Sequence, residues 1–346
     1  MRLLAATLVA AVVGGVLAAV LSARSQEGFT VTPLVADTLR ARVHDASLVN
    51  AWGLAATPTG PWWVANEARN TSTLYAGNGR KQALTLEVAC GPTGIAAYTG
   101  RGFVVREERS SGPARFIYAC EDGTIRAWSP TVPHGWSRKA VVAIDRGASA
   151  SIFRGIAVGG GRLYATDFHN AHVLVFGSDW KQRKSAGFVD RAIPDWYAPF
   201  NVRVLAGHVF VTYAGRAPVN GNDAPTGGYV DEFTLDGRLV ARVGRMSHLD
   251  EPWGLALAPR GFGSYGGDLL VANFGSGRVD AYRHAAAGWT FHGQLPLVLH
   301  GVWGIAFGNG RLAGPKTTLF FASGPHRWRG ASELDVHGLI GAVTAS

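Results

Sequence analysis

Short runs in which apolar and polar residues alternate recur along the chain, separated by glycine, proline, asparagine and aspartate. Runs of this length bounded by such residues are strands joined by turns. After residue 25 no long stretch carries the spacing of an amphipathic helix. One pattern repeats: WGLA (52–55), TGIA (93–96), RGIA (154–157), a degenerate NVRV (201–204), WGLA (253–256) and WGIA (303–306). Taking Gly53, Gly94, Gly155, Val202, Gly254 and Gly304 as markers, the spacings are 41, 61, 47, 52 and 50 residues. A period of that size marks one supersecondary unit per copy.

Each copy continues with a second run: WWVAN (62–66), GFVVRE (102–107), RLYATD (162–167), HVFVTY (208–213), DLLVAN (268–273) and TLFFAS (318–323). A third follows, as in STLYAG (72–77), ARFIYACE (114–121) and AHVLVFG (171–177), and most copies add an outer fourth such as ALTLEVA (83–89). Four antiparallel strands repeated six times predict an all-β fold, a six-bladed β-propeller whose sheets bury both faces against their neighbours. The sixth copy stops at its third strand, HGLIGAV (337–343), while FTVTPLVA (29–36) stands unpaired before the first copy. An N-terminal strand is therefore expected to complete the last blade and remove the exposed sheet edge. The expected organisation is a leader over 1–25 and one propeller domain over 29–346.

The glycine after each tryptophan allows close approach of the adjoining blade, and the indole can fill the wedge between blades. Set against that packing reading, Trp52, Trp253 and Trp303 belong to blades 1, 5 and 6, consecutive around the ring, where they would make one side of the channel mouth aromatic.

Composition agrees with a β-rich globular protein. Of 346 residues, 46 are glycine and 16 proline, and only 16% are charged against the usual ~25%. That excludes coiled coils and disordered scaffolds. The net charge of +9 comes almost wholly from arginine, because the only lysines are Lys81, Lys139, Lys181, Lys184 and Lys316. The arginines are scattered rather than blocked, which gives no specific nucleic-acid signature. At the N-terminus, Met1-Arg2 precedes an apolar run from Leu3 to Leu21, the layout of an export signal. Its length also suits an uncleaved membrane anchor, so a periplasmic or secreted chain, released or tethered through residues 3–21, is expected.

The strings NAWGLAATPTGPWWVANEARNTSTLYAGNG (50–79), EDGTIRAWSP (121–130), YAPFNVRVL (197–205), PWGLALAPRGFGSYGGDLLVANFGSGRVDAY (252–282) and GVWGIAFGNG (301–310) resemble an uncharacterised family of exported bacterial six-bladed β-propellers related to NHL-repeat proteins. The resemblance covers nearly all of the chain after residue 28. It implies the fold and export, and no established activity. The chain departs from the family in ending at GAVTAS without a sorting segment and in carrying Cys120.

Candidate chemistry is sparse. There is no HExxH, GxSxG, Walker A or CxxC motif, and Gly261, Gly263 and Gly266 fit GxGxxG only between two strands. Propeller sites gather where inner strands begin and second strands end. The ligand-binding candidates at that mouth are Trp52, Asn66, Arg154, Asn201, Tyr213, Trp253, Asn273 and Trp303, with Glu67 beside Asn66. Carboxylates and imidazoles of different blades can converge on one axis, so Asp167, His169, Glu251 and His300 are candidates for a divalent metal, Ca or Zn. Set against each is the bland alternative of an Asp or Asn bonding its own turn. The leading functional expectation is non-catalytic binding of a small molecule, envelope glycan or protein, and the alternative is a metal-dependent lyase or hydrolase. An exported Cys90–Cys120 pair can oxidise, but the registry of the repeats sets the two near opposite faces, which argues against the ~7 Å Cα separation a disulfide tolerates. Blade 2 is the longest copy, and an error in its register would reverse that placement.

Overall fold

The computed structural model describes residues 28–135, 137–184, 187–216, 223–324 and 337–345. The leader or anchor expected over 1–25 lies outside the described residues. No helix among the described residues is long and apolar enough to cross a membrane.

Six sheets surround a central channel. Blade 1 runs outward through Ala51–Ala55, Trp62–Asn66, Thr71–Tyr75 and Lys81–Glu87. Blades 3, 4 and 5 begin with the inner strands Phe153–Gly159, Tyr197–Leu205 and Pro252–Leu257 and add their next three strands in chain order. Blade 6 contains Val302–Phe307, Leu319–Ser323 and Leu339–Ala345, and its fourth strand is Phe29–Ala36. That strand runs antiparallel to Leu339–Ala345 from the Phe29–Ala345 pair to the Ala36–Leu339 pair. The expected closure is thus present, and Phe29 further packs on Phe262 and Tyr265 of blade 5 at 5.3 and 5.8 Å.

Blade 2 departs from the expected register. Val104–Glu107, read as its second strand, instead pairs with Ser110–Pro113 as a separate hairpin. The second strand is Phe116–Cys120, followed by Thr124–Trp128 and Val141–Asp145. Alternation identified 102–107 as extended but carries no information about its partner. This shift by one strand brings Cys120 opposite Pro92, next to Cys90. The two cysteines form a disulfide with a Cα separation of 5.4 Å, which corrects the expected separation.

The core lies between blades. Six apolar clusters occupy the six seams, as Trp63, Phe116 and Trp128 do between blades 1 and 2. Single sheets this thin have no interior, so stacking supplies the burial each needs. The marker glycines set the inner spacing. A β-carbon on Gly53, Gly94, Gly155, Gly254 or Gly304 would fall 2.3–2.8 Å from an atom of the next blade, and in all five cases a backbone atom of that blade lies within 2.8 Å. The steric explanation for these glycines therefore holds. Blade 4 carries Val202 at the equivalent position.

Candidate functional site

Side chains alternate along a strand, so the first and third residues of each inner tetrad face the channel. At the end where the inner strands begin, the first residues are Trp52, Thr93, Arg154, Asn201, Trp253 and Trp303. The three tryptophans do not form an open platform. Only 2–4% exposed, they gather with Phe168, Phe200 and Phe274 into a seventh cluster that plugs the channel. Trp303 is sandwiched between Trp52 at 3.6 Å and Phe274 at 3.8 Å, while Trp253 meets both indoles edge-on at 6.0 Å. Packing is the role these contacts establish. The indole nitrogens of Trp52, Trp253 and Trp303 are nevertheless buried without hydrogen-bond partners.

Beside the plug, blades 1 to 3 assemble a polar cluster. Arg154 forms an ion pair with Glu121, and its guanidinium lies over the rings of Trp52 and Phe168 at 5.3 and 5.9 Å. Glu121 also hydrogen-bonds Glu67. Asn50, held at a positive φ of 50° before the first inner strand, donates its amide to Glu67 at 2.6 Å. Burial first, and then the neighbouring Glu121, push the Glu67 carboxyl up to about 7 against the lowering pull of Asn50 and Arg154. Two carboxyls in contact favour sharing one proton. The Asn50 Oδ1 and Arg154 Nε atoms remain buried and unpartnered.

Glu121 and Asn50 were not among the sequence candidates. Glu67 and Glu121 each follow the second strand of their blade, immediately after Asn66 and Cys120. Reading 114–121 as the second rather than the third strand would have aligned them.

The remaining candidates stand apart from this cluster. Asn66 donates to the Thr71 and Thr73 hydroxyls at 3.2 and 2.9 Å, and Asn273 to Asp280 at 2.9 Å. Asn201 reaches across a seam to the Trp253 carbonyl at 2.7 Å. Tyr213 is buried in the seam between blades 3 and 4, away from the channel. Asp167 accepts hydrogen bonds from Ser151, Asn170 and the Ile152 amide, holding its own turn. Glu251 is buried at a positive φ of 52°, and the backbone carbonyls of His169 and His300 accept bonds from Arg216 and Ser323. No three of Asp167, His169, Glu251 and His300 bring ligand atoms together. Among the described residues the only such grouping is Cys90, Cys120 and Asp122, whose sulfurs are bonded to each other.

An uncharacterised protein of Acanthamoeba polyphaga mimivirus is 31% identical over 291 residues, 79% of this chain and 72% of that protein. The chain belongs to that family. No protein-family model matches the chain. Among solved structures, a Bacteroides thetaiotaomicron protein of unknown function superposes with a TM-score of 0.57 at 10% identity, over 93% of this chain and 77% of its own. The virginiamycin B lyase of Staphylococcus aureus superposes with a TM-score of 0.55 at 11% identity, over 92% and 99%. At such identities the family shares the propeller fold with these proteins, and the likeness extends no further.

Proposed function

We propose that this propeller is an exported binding protein that takes a small ligand at the channel mouth of blades 1 to 3, rather than on the tryptophans themselves. The observation that carries this reading is the Glu67–Glu121 carboxyl pair, tied to Arg154 and Asn50 beside a plugged channel. Its free valences are mostly acceptors: two carboxyls, one near half-protonation at neutral pH, and the Asn50 Oδ1. Such a set suits a ligand offering hydrogen-bond donors, an ammonium or a group of hydroxyls. In a chain of net charge +9, this spot is locally acidic.

A thermal-shift screen of small amines and polyols tests the reading. A compound that stabilises the wild type and loses its effect in Glu67→Gln and Glu121→Gln supports it. A panel without effect, or one whose effect survives both substitutions, counts against it.

Export has two independent supports, the apolar run from Leu3 to Leu21 and the Cys90–Cys120 disulfide, a bond that persists in oxidising compartments. Mass spectrometry of the mature N-terminus distinguishes a cleaved signal from an anchor. An intact leader on soluble cytoplasmic protein would remove the export reading. A metal-dependent lyase or hydrolase draws support from the fold alone, since its four proposed ligands do not converge.

A further inference from the structure

The third residues of the six inner tetrads are Leu54, Ile95, Ile156, Arg203, Leu255 and Ile305. All six line the same narrow stretch of the channel below the tryptophan plug. Five of them are aliphatic, so the repeat calls for an apolar side chain here and blade 4 alone supplies a guanidinium.

Arg203 also borders the wider space into which the channel opens where the inner strands end. This cavity of about 250 Å³ is walled mainly by small or aliphatic residues, including Ala56, Ala97, Val158 and Ala306, with Phe307 and Trp62 at its sides. Asn309 is its other polar side chain, and that amide is engaged: it donates to the Thr57 and Gly60 carbonyls and accepts from the Arg311 and Ala313 amides. Arg203 is half-buried and has no carboxylate partner among the described residues, and the desolvation it meets in the channel lowers its pKa from the usual guanidinium range. An unpaired guanidinium at the border of a half-enclosed cavity is placed to take its counter-charge from an anion.

We propose that the cavity binds a short aliphatic monocarboxylate, its carboxylate bidentate on Arg203 and its hydrocarbon tail against the alanine-lined wall. Planar two-point pairing matches guanidinium to carboxylate. The single positive charge neutralises a monoanion, whereas a phosphate dianion would leave one negative charge without a partner. The volume lies below the ~300–1,000 Å³ of sites for drug-sized ligands, which favours a short chain. This site lies at the opposite end of the channel from Glu67 and Glu121 and does not depend on their role.

Calorimetric titration and thermal shift of the full chain with hexanoate, hexanamide and inorganic phosphate test the proposal. Hexanoate should bind and raise Tm, while hexanamide and phosphate should not. Arg203→Leu restores the residue type of the other five blades and so should fold; it should weaken hexanoate by at least roughly tenfold, the loss of a charge-assisted pair. Arg203→Lys, which keeps the charge but loses the planar fork, should fall between. Absence of hexanoate binding to the wild type, equal binding by Arg203→Leu, or phosphate binding as well as hexanoate would each overturn it.

Discussion

Gly304 of blade 6 lies so close to blade 1 that a β-carbon on it would stand 2.8 Å from the Trp52 carbonyl oxygen. Backbone cannot move aside as a flexible side chain can, so Gly304→Ala has to push blades 6 and 1 apart and disturb the Trp52–Trp303 stack above. The expected loss is about 1–3 kcal/mol, the usual range for overpacking. Chemical denaturation of Gly304→Ala against wild type measures it; an unchanged midpoint would show that the seam has slack.

The closing strand yields a second prediction. Without residues 1–36 the Leu339–Ala345 strand loses its hydrogen-bonded neighbour and becomes an exposed sheet edge, and Phe262 and Tyr265 lose Phe29. The truncated chain should aggregate or melt at lower temperature than a chain lacking residues 1–27 only. Light scattering alongside a thermal melt separates the two products.

The disulfide is the third. Cys90 and Cys120 are 30 residues apart and tie the entry of blade 2's inner strand to the end of its second. In the chain-entropy account a loop of that length stabilises by about 3–4 kcal/mol. The paired substitution Cys90→Ala with Cys120→Ala should therefore lower stability by that order, and reduction of the wild type should lower Tm while leaving the double variant unaffected.

Glu67 sets a pH dependence with a definite sign. Its carboxyl moves from an ordinary 4.5 to about 7 in the folded protein. Between those values the native state holds a proton the unfolded chain has released, so this group's contribution makes stability fall as pH rises through the interval. Asp231, also pushed to about 7 by burial, acts in the same direction. Glu67→Gln should flatten the slope measured between about pH 5 and about pH 8 without abolishing it. A slope identical to wild type would mean that Glu67 ionises normally in the fold.

Much of this protein is legible along one strand at a time. The recurring tetrad and its glycines determined the number of blades, the inner strands and the borrowed closing strand, because periodicity and steric size are local properties repeated six times. Even the anomaly at Arg203 is visible as one charged residue in an aliphatic register. Tertiary structure alone decided which extended runs pair. The hairpin of Val104–Glu107 and Ser110–Pro113 has the alternation of a blade strand, yet it pairs with itself, and that single choice moves Cys120 to Cys90 and Glu121 to Glu67. It also decided that three tryptophans stack into a plug rather than line an open mouth, since whether an indole meets solvent or another indole depends on residues of three other copies converging on one axis. Which of several extended runs a strand takes as its partner, and which side chains converge on the axis, are settled by competition among segments across the whole chain, which no single run reports.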